Sequence, residues 1–321
     1  MKVLGLGGSN HDFSACVVEN GVVTGMIEDE RITRKKHGLG LNIQLSQGFS
    51  RNYCVNNFGS KLNEFDAIAS NDIINPAMLF RLENVQMLNH HLTHAASAYY
   101  CSPFKEAAIL TVDSVGSKWK DGDITAYESA TFSYGNGQKI EVLHRNCGIN
   151  LKGTDYIENS LGIFYSIITE VIGFGELQDG KTMGLAPYGT DRFYKELQQY
   201  ITYTGEGRVL MTSDKIKKLL SHKERIAEIS DEKERFSVMA DYAWAAQKIL
   251  ENIIILMGEY LYKITHSENL CLAGGVALNS VANYKLYKRK IFKNIFIQPA
   301  AGDNGTSIGA ALYCYYNRGK L

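Results

Sequence analysis

The chain has 321 residues, 45% of them apolar, with 34 Lys plus Arg set against 34 Asp plus Glu. That is enough chain for two ordinary domains or one large two-lobed one, with the composition of a soluble globular protein. A formal net charge of zero leaves no electrostatic reason to expect non-specific attraction to nucleic acid or to a membrane surface. The six cysteines, Cys16, Cys54, Cys101, Cys147, Cys271 and Cys314, include no Cys-x-x-Cys pair, so they read as reduced thiols. The chain enters a strand at once with Met1–Leu6, and no apolar run reaches membrane-spanning length; the expectation is a cytoplasmic protein.

Lys2–Leu6 reads as a buried strand, Gly7–Asn10 as a turn and Phe13–Val18 as a second strand. Asn20-Gly21 is a hairpin signal, after which Val22–Ile27 returns as a third strand. A helix is expected from about Gln44 to Asn57, a strand at Phe65–Ser70, and a His-rich helix near His90–Tyr100. The first layout then recurs. Ala107–Asp113 is a strand, Ser114–Asp123 a glycine-containing turn, Ile124–Phe132 a strand, Asn136-Gly137 a hairpin turn and Lys139–Arg145 a third strand. A meander used twice points to a duplicated, two-lobed α/β fold. Beyond Gly153 the pattern is mostly helical: Leu161–Ile172, Phe193–Tyr200, Ile216–Leu220, a charged helix face over Ser221–Arg235, and a long helix over Ser237–Ile264. Asn269–Gly275 is a buried strand ending in two glycines, with a helix beginning at Val276. Ile295–Ile297 is a last strand, Ala300–Thr306 a polar loop and Ser307–Asn317 a final helix.

His90 and His94 are four apart, so a helix projects both imidazoles from one face. Asp113 ends a strand and can supply a carboxylate to the same point; Asp303, in the turn Gly302–Gly305, can supply a second. Two imidazoles and two carboxylates form a borderline-hard set suited to iron(II), zinc or manganese. The strand-glycine-glycine-helix at Leu272–Asn283 aims backbone N–H groups at a helix start beside residues too small to block an anion. A glycine pair of this kind also suits tight strand–helix packing. Gly116 and the glycine-framed loop Gly180–Gly189, with Lys181, are further candidate phosphate contacts, although the spacing is not that of a Walker loop. His11, in Ser9-Asn10-His11-Asp12 at the mouth of the first hairpin, can take a proton from a hydroxyl nucleophile.

These segments together resemble the O-carbamoyltransferases of the nodulation-factor and antibiotic-tailoring type. The resemblance is carried by Gly7–Val18, Glu30–Gly38, His90–Ala98, Leu110–Asp113, Lys181–Gly189, Gly274–Asn279 and Pro299–Gly309, in order along nearly the whole chain. It implies a fold of the actin/hexokinase/heat-shock ATPase type, with nucleotide and metal in the cleft between two lobes. The lobes would be residues 1–103 and 104–303, with the final segment 304–321 packing back on the first lobe and an acceptor-specificity insertion at about 190–236. It implies Fe(II) or Zn(II) on His90, His94, Asp113 and Asp303, with His11 as the base. Gly116, Lys181, Gly184, Gly274, Gly275, Val276 and Asn279 would contact the adenylate, and Asn10 and Asp12 the acceptor. The implied reaction moves a carbamoyl group from carbamoyl-adenylate to a hydroxyl of a small-molecule acceptor and releases AMP. Family members commonly continue into a domain that makes carbamoyl-adenylate from carbamoyl phosphate and ATP, so a partner protein or domain is expected to supply it. Two rival readings are a nucleotide-binding scaffold without catalysis and a tRNA threonylcarbamoyl transferase; the neutral charge weighs against the second.

Overall fold

The computed structural model describes residues 1–59, 61–121 and 124–317. Its first sheet holds β1 (Lys2–Gly7), β2 (Ser14–Glu19), β3 (Val22–Glu28), β4 (Ala67–Asn71) and β5 (Val85–Leu88), in the order β3-β2-β1-β4-β5. β1 is the hinge of the pattern, with Gly5 facing Cys16 of antiparallel β2 on one side and Ala69 of parallel β4 on the other.

The second sheet repeats the scheme. It holds β6 (Glu106–Val112), β7 (Lys118–Asp121), β8 (Ile124–Asn136) and β9 (Lys139–Ile149). A separate small hairpin follows, β10 (Thr202–Gly205) with β11 (Arg208–Leu210), and then β12 (Asn269–Ala273) and β13 (Asn294–Ile297) complete the second sheet. Here β6 is the hinge: Ile109 faces Ser133 of antiparallel β8 and Cys271 of parallel β12. β9 pairs with β8 and β13 with β12, so β9-β8-β6-β12-β13 reproduces β3-β2-β1-β4-β5 strand for strand. Ala107–Val112 is buried on both faces, which is why it reads as a continuous apolar run rather than an alternating one.

The final helix, Thr306–Tyr316, lies on the first sheet. Ala310, Ala311, Leu312 and Cys314 share a core with Val3, Cys16, Val18 and Ala69. Two glycines let it approach: a Cβ on Gly5 would stand 1.9 Å from Ser307 O, and one on Gly309 would stand 1.7 Å from Thr93 O. The last residues of the expected segment, 318–321, lie outside the described residues. The 34-residue helix Glu232–Thr265, about 51 Å long at 1.5 Å per residue, runs through the core of the second half. Its start is capped by Asp231, whose side chain accepts from Glu234 N. Among the described residues no helix is long and apolar enough to cross a membrane.

Several elements differ from expectation. The helix expected over 44–57 is a 3-10 segment, Asn42–Gln47, and an α-helix, Phe49–Phe58, separated by Gly48 at φ +63°. The turn expected at 114–123 contains β7, added beyond the duplicated plan; Gly122 and Asp123 lie outside the described residues. Gly180–Gly189, expected as a loop, is the helix Asp179–Leu185 followed by a 3-10 turn, Ala186–Tyr188. Tertiary contacts override its poor helix propensity: Thr182 and Leu185 are buried, and the Asp179 carboxylate accepts from Ser166 and Thr169. The helix expected from Val276 is a 3-10 turn, Gly275–Leu278, and an α-helix, Ser280–Lys288, starting at Asn279. β5 and the β10–β11 hairpin were not expected. From the segment 190–236, Phe193, Leu197, Val209, Met211 and Ile216 join the second-half core.

Candidate metal centre

The His90–Cys101 helix is fixed at its first turn by both halves of the molecule. Asn89 caps it, its side chain accepting from Leu92 N at 2.9 Å, and the Asn89 amide donates to Glu128 Oε2 of β8 at 2.8 Å. The His90 N–H donates to Ser117 Oγ (2.7 Å) and to Asp72 Oδ1 (3.1 Å). Capping and anion contacts of this kind satisfy the open donors of a helix start. The result is a rigid platform from which His90 and His94, both fully buried, point at one place.

Asp113 directly follows β6, and Asp303 opens the turn before the final helix. That turn is stitched to the first hairpin: Gly8 N–H and Asn71 Nδ2 both donate to Thr306 Oγ1, and Ser14 Oγ donates to Asn304 O. The four side chains converge, with ligand atoms of His90, His94, Asp113 and Asp303 all within 4.8 Å of one another. The two Nε2 atoms face each other at 3.1 Å; His94 Nε2 is 3.1 Å from Asp113 Oδ2, and both Nε2 atoms are 3.5 Å from Asp303 Oδ1.

This set fits a divalent cation. Two buried carboxylates place two negative charges where, among the described residues, no lysine or arginine pairs with them, and isolated buried charge is costly. The two imidazoles can share one Nε2–H···Nε2 hydrogen bond, but both Nδ1 atoms are buried without a hydrogen-bond partner among the described residues, and Asp113 Oδ2 has no well-aligned one although His94 Nε2 lies 3.1 Å away. With protons alone to balance it, the cluster is strained electrostatically. Burial would lower His90, but Asp303 and Asp113 outweigh it and hold the ring up at about 10. Burial would raise both carboxyls, yet His90 and His94 hold Asp113 below the usual carboxylate range, and His90, His94 and His11 hold Asp303 well below it. His91, between the two histidines, is not a ligand. Its Nδ1 contacts Thr131 Oγ1 at 2.7 Å, and burial together with the positive His90 lowers it to about 3.

His11 stands beside the centre, its Nε2 4.0 Å from Asp303 Oδ2 and its Nδ1 2.9 Å from Asp12 Oδ2. Burial would lower it; the Asp12 bond and the Asp303 charge raise it to about 9. Asp12, expected to touch the acceptor, has His11 at one oxygen and His37 at the other, with His37 Nδ1 2.8 Å from Oδ1. Asn10 is exposed in the same turn.

The glycine loops divide. Gly274 (φ +91°) and Gly275 pack against the end of β6, where a Cβ would stand 2.3 Å from Val112 O and 3.0 Å from Asp113 Oδ1 respectively. Val276 follows in the 3-10 turn, so this loop adjoins the metal centre. Gly116 is committed elsewhere: its N–H donates to Glu128 O at 2.6 Å, and its open side is filled by His91. Its expected role as a backbone phosphate donor is therefore corrected to making room for His91. Asn279 is also turned inward, capping Ala282 N and exchanging hydrogen bonds with Gln247; it holds the loop rather than offering its amide to a ligand. Lys181 is exposed with its Nζ 5.6 Å from the Phe174 ring centre. Gly184 leaves open space, since a Cβ there would meet nothing within 4 Å. Residues 42–312 match the family model described as Carbamoyltransferase N-terminus. The chain belongs to that family. Nodulation protein NolNO of Sinorhizobium fredii is 30% identical over 337 residues, covering 94% of this chain and 46% of that protein. The chain thus spans about half the length of the curated relatives it matches. Among solved structures, full-length HypF in the phosphate- and nucleotide-bound form superposes with a TM-score of 0.62 at 12% identity, over 99% of this chain and 56% of that one. Component A of the Acidaminococcus fermentans (R)-2-hydroxyglutaryl-CoA dehydratase gives 0.57 at 13% identity, over 99% and 100%. These likenesses carry the fold, which is the duplicated two-lobed type of actin, hexokinase and the heat-shock ATPases.

Proposed function

We propose that this chain transfers a carbamoyl group from carbamoyl-adenylate to a hydroxyl of a small-molecule acceptor such as a sugar or an antibiotic, releasing AMP. The observation that carries the reading is the convergence of His90, His94, Asp113 and Asp303 beside the Gly274-Gly275 loop, with His11 on the open side. His90, His94, Asp113 and Asp303 would hold Fe(II) or Zn(II), whose charge supplies electrostatic stabilisation to a phosphate leaving group. Gly274, Gly275 and Val276, in the turn packed against the end of β6, would line the adenylate, with Gly184, where a Cβ would meet nothing within 4 Å, and the exposed Lys181 as further candidate contacts. A bound cation would offset the Asp303 charge that helps hold His11 protonated, and His11 would accept the hydroxyl proton at Nε2. The hydroxyl oxygen then bonds to the carbamoyl carbon, and the carbon–oxygen bond to phosphate breaks. Carbamoyl-adenylate would be supplied by a partner protein or by another domain of the same protein.

The test mixes purified, metal-loaded chain with synthetic carbamoyl-adenylate and a panel of hydroxyl-rich acceptors, following AMP by chromatography and product by mass. Transfer should require metal and fall about 100-fold or more in His11→Ala, within the range of a lost general base. A metal-loaded chain that binds adenylate but transfers to no acceptor, with His11→Ala indistinguishable from the parent, would leave only a nucleotide-binding scaffold.

A further inference from the structure

His37 has no role in the account above, yet it shares a carboxylate with His11. Its Nδ1 lies 2.8 Å from Asp12 Oδ1, while His11 Nδ1 lies 2.9 Å from Asp12 Oδ2. The other nitrogen of His37, Nε2, is buried without a hydrogen-bond partner among the described residues. A proton there would have no acceptor, so the single proton of the neutral ring belongs on Nδ1, donated to Asp12. The backbone locks the same arrangement. Asp12 N–H donates to His37 O at 2.8 Å, and His37 N–H donates to Glu30 Oε2 at 2.8 Å. Asp12 and His37 both sit at positive φ, 54° and 57°, a region that non-glycine residues seldom adopt without support.

We infer that His37 is a positioning residue for His11. A free aspartate can rotate, and either oxygen can accept from either neighbour. With Oδ1 taken by His37, only Oδ2 remains for His11 Nδ1–H, which fixes the tautomer and leaves Nε2 bare and turned toward the metal centre. An orienting carboxylate behind a histidine base works by this logic; here the orienting carboxylate is itself oriented. The inference rests on His11 being the base of the proposed reaction, but the tautomer can be read independently of that reaction.

The test compares the full Zn(II)-loaded chain with His37→Leu, which removes the donor, and His37→Asn, whose side-chain amide can place an N–H close to the Nδ1 position. Long-range proton–nitrogen spectra of 15N-histidine-labelled protein should show His11 as the Nδ1–H tautomer in the parent and His37→Asn, and as a mixture in His37→Leu. In the transfer assay, His37→Leu should lose about ten- to a hundredfold in kcat, with KM within about twofold, and His37→Asn should recover most of it. If His37→Leu does not fold, Asp12→Asn carries the spectroscopic arm, since an amide cannot accept from both imidazoles. An unchanged His11 tautomer in the folded donor-less variant, or in Asp12→Asn, overturns the inference. A parent chain that transfers no carbamoyl group refutes the proposed function and leaves the tautomer result to decide the role of His37.

Discussion

At the scale of single residues, a cation entering the candidate centre would compete with protons. His90 is held up at about 10, against an ordinary 6.5, by Asp303 and Asp113. In metal-free protein its protonation therefore adds stability that is complete below pH 6.5 and lost as pH rises through about 10. Asp113 and Asp303 are shifted the other way, and their contribution is present above 3.8 and lost as pH falls below it. A divalent cation must displace the His90 proton, so its apparent affinity should rise with pH between 6.5 and 10, by up to about tenfold per unit. Titration calorimetry in buffers of differing ionisation enthalpy reads this directly, and a pH-independent affinity with no proton release would contradict it. Asp303→Asn removes one of two charges and one ligand; metal affinity should fall by about 100-fold or more, beyond the typical loss at an outer partner, as measured by competition with a chelating dye.

At the scale of elements, the helix that carries His90 and His94 is crossed by the final helix, and the crossing is closest at Gly309. Thr306–Tyr316 crosses His90–Cys101 where a Cβ on Gly309 would stand 1.7 Å from Thr93 O and 3.0 Å from Ser97 N. Both atoms are backbone, so no side chain can swing aside. Gly309→Ala should destabilise the fold by about 1–3 kcal/mol or more and weaken metal binding, because the helices can only part by moving His90 and His94 away from Asp303. Chemical denaturation alongside metal titration checks both effects; a variant of parental stability would show that the crossing is looser than described. The elements legible in the sequence were those whose periodicity matches their burial: β1, β2 and β6, the helix His90–Cys101 and the long helix Glu232–Thr265. Asp179–Leu185 was not legible, because its two glycines argue for a loop and only the packing of Thr182 and Leu185 makes it helical. β7 was hidden for a similar reason. Lys118–Asp121 has no apolar alternation and becomes a strand by pairing with Ile124–Tyr127.

At the scale of the whole molecule, one strand plan used twice brings residues separated by more than 200 positions to one point. The cores that result bury three of the thiols, Cys16, Cys54 and Cys271, deeply. Burial pushes Cys54 and Cys271 up to about 12 and Cys16 well above its ordinary value, and thiolate is the reactive form. These three cysteines should resist a disulfide-exchange reagent at pH 8 in the native state and react only as the chain unfolds, which quenched mass spectrometry resolves site by site. Rapid native labelling of Cys16 would show that the first sheet opens.

The sequence alone determined the meander written twice, the helical spacing of His90 and His94, and the candidate donors Asp113 and Asp303, because period, spacing and residue chemistry are local properties. Only the tertiary structure decided which donors meet. It gathered the four candidate ligands, buried His91 against Thr131, committed the Gly116 N–H to Glu128 and turned Asn279 toward Gln247. It also made Asp12 the shared acceptor of His11 and His37. Each of these depends on which hydrogen-bond partner a distant segment brings, and a group already satisfied by the fold is no longer free for a ligand.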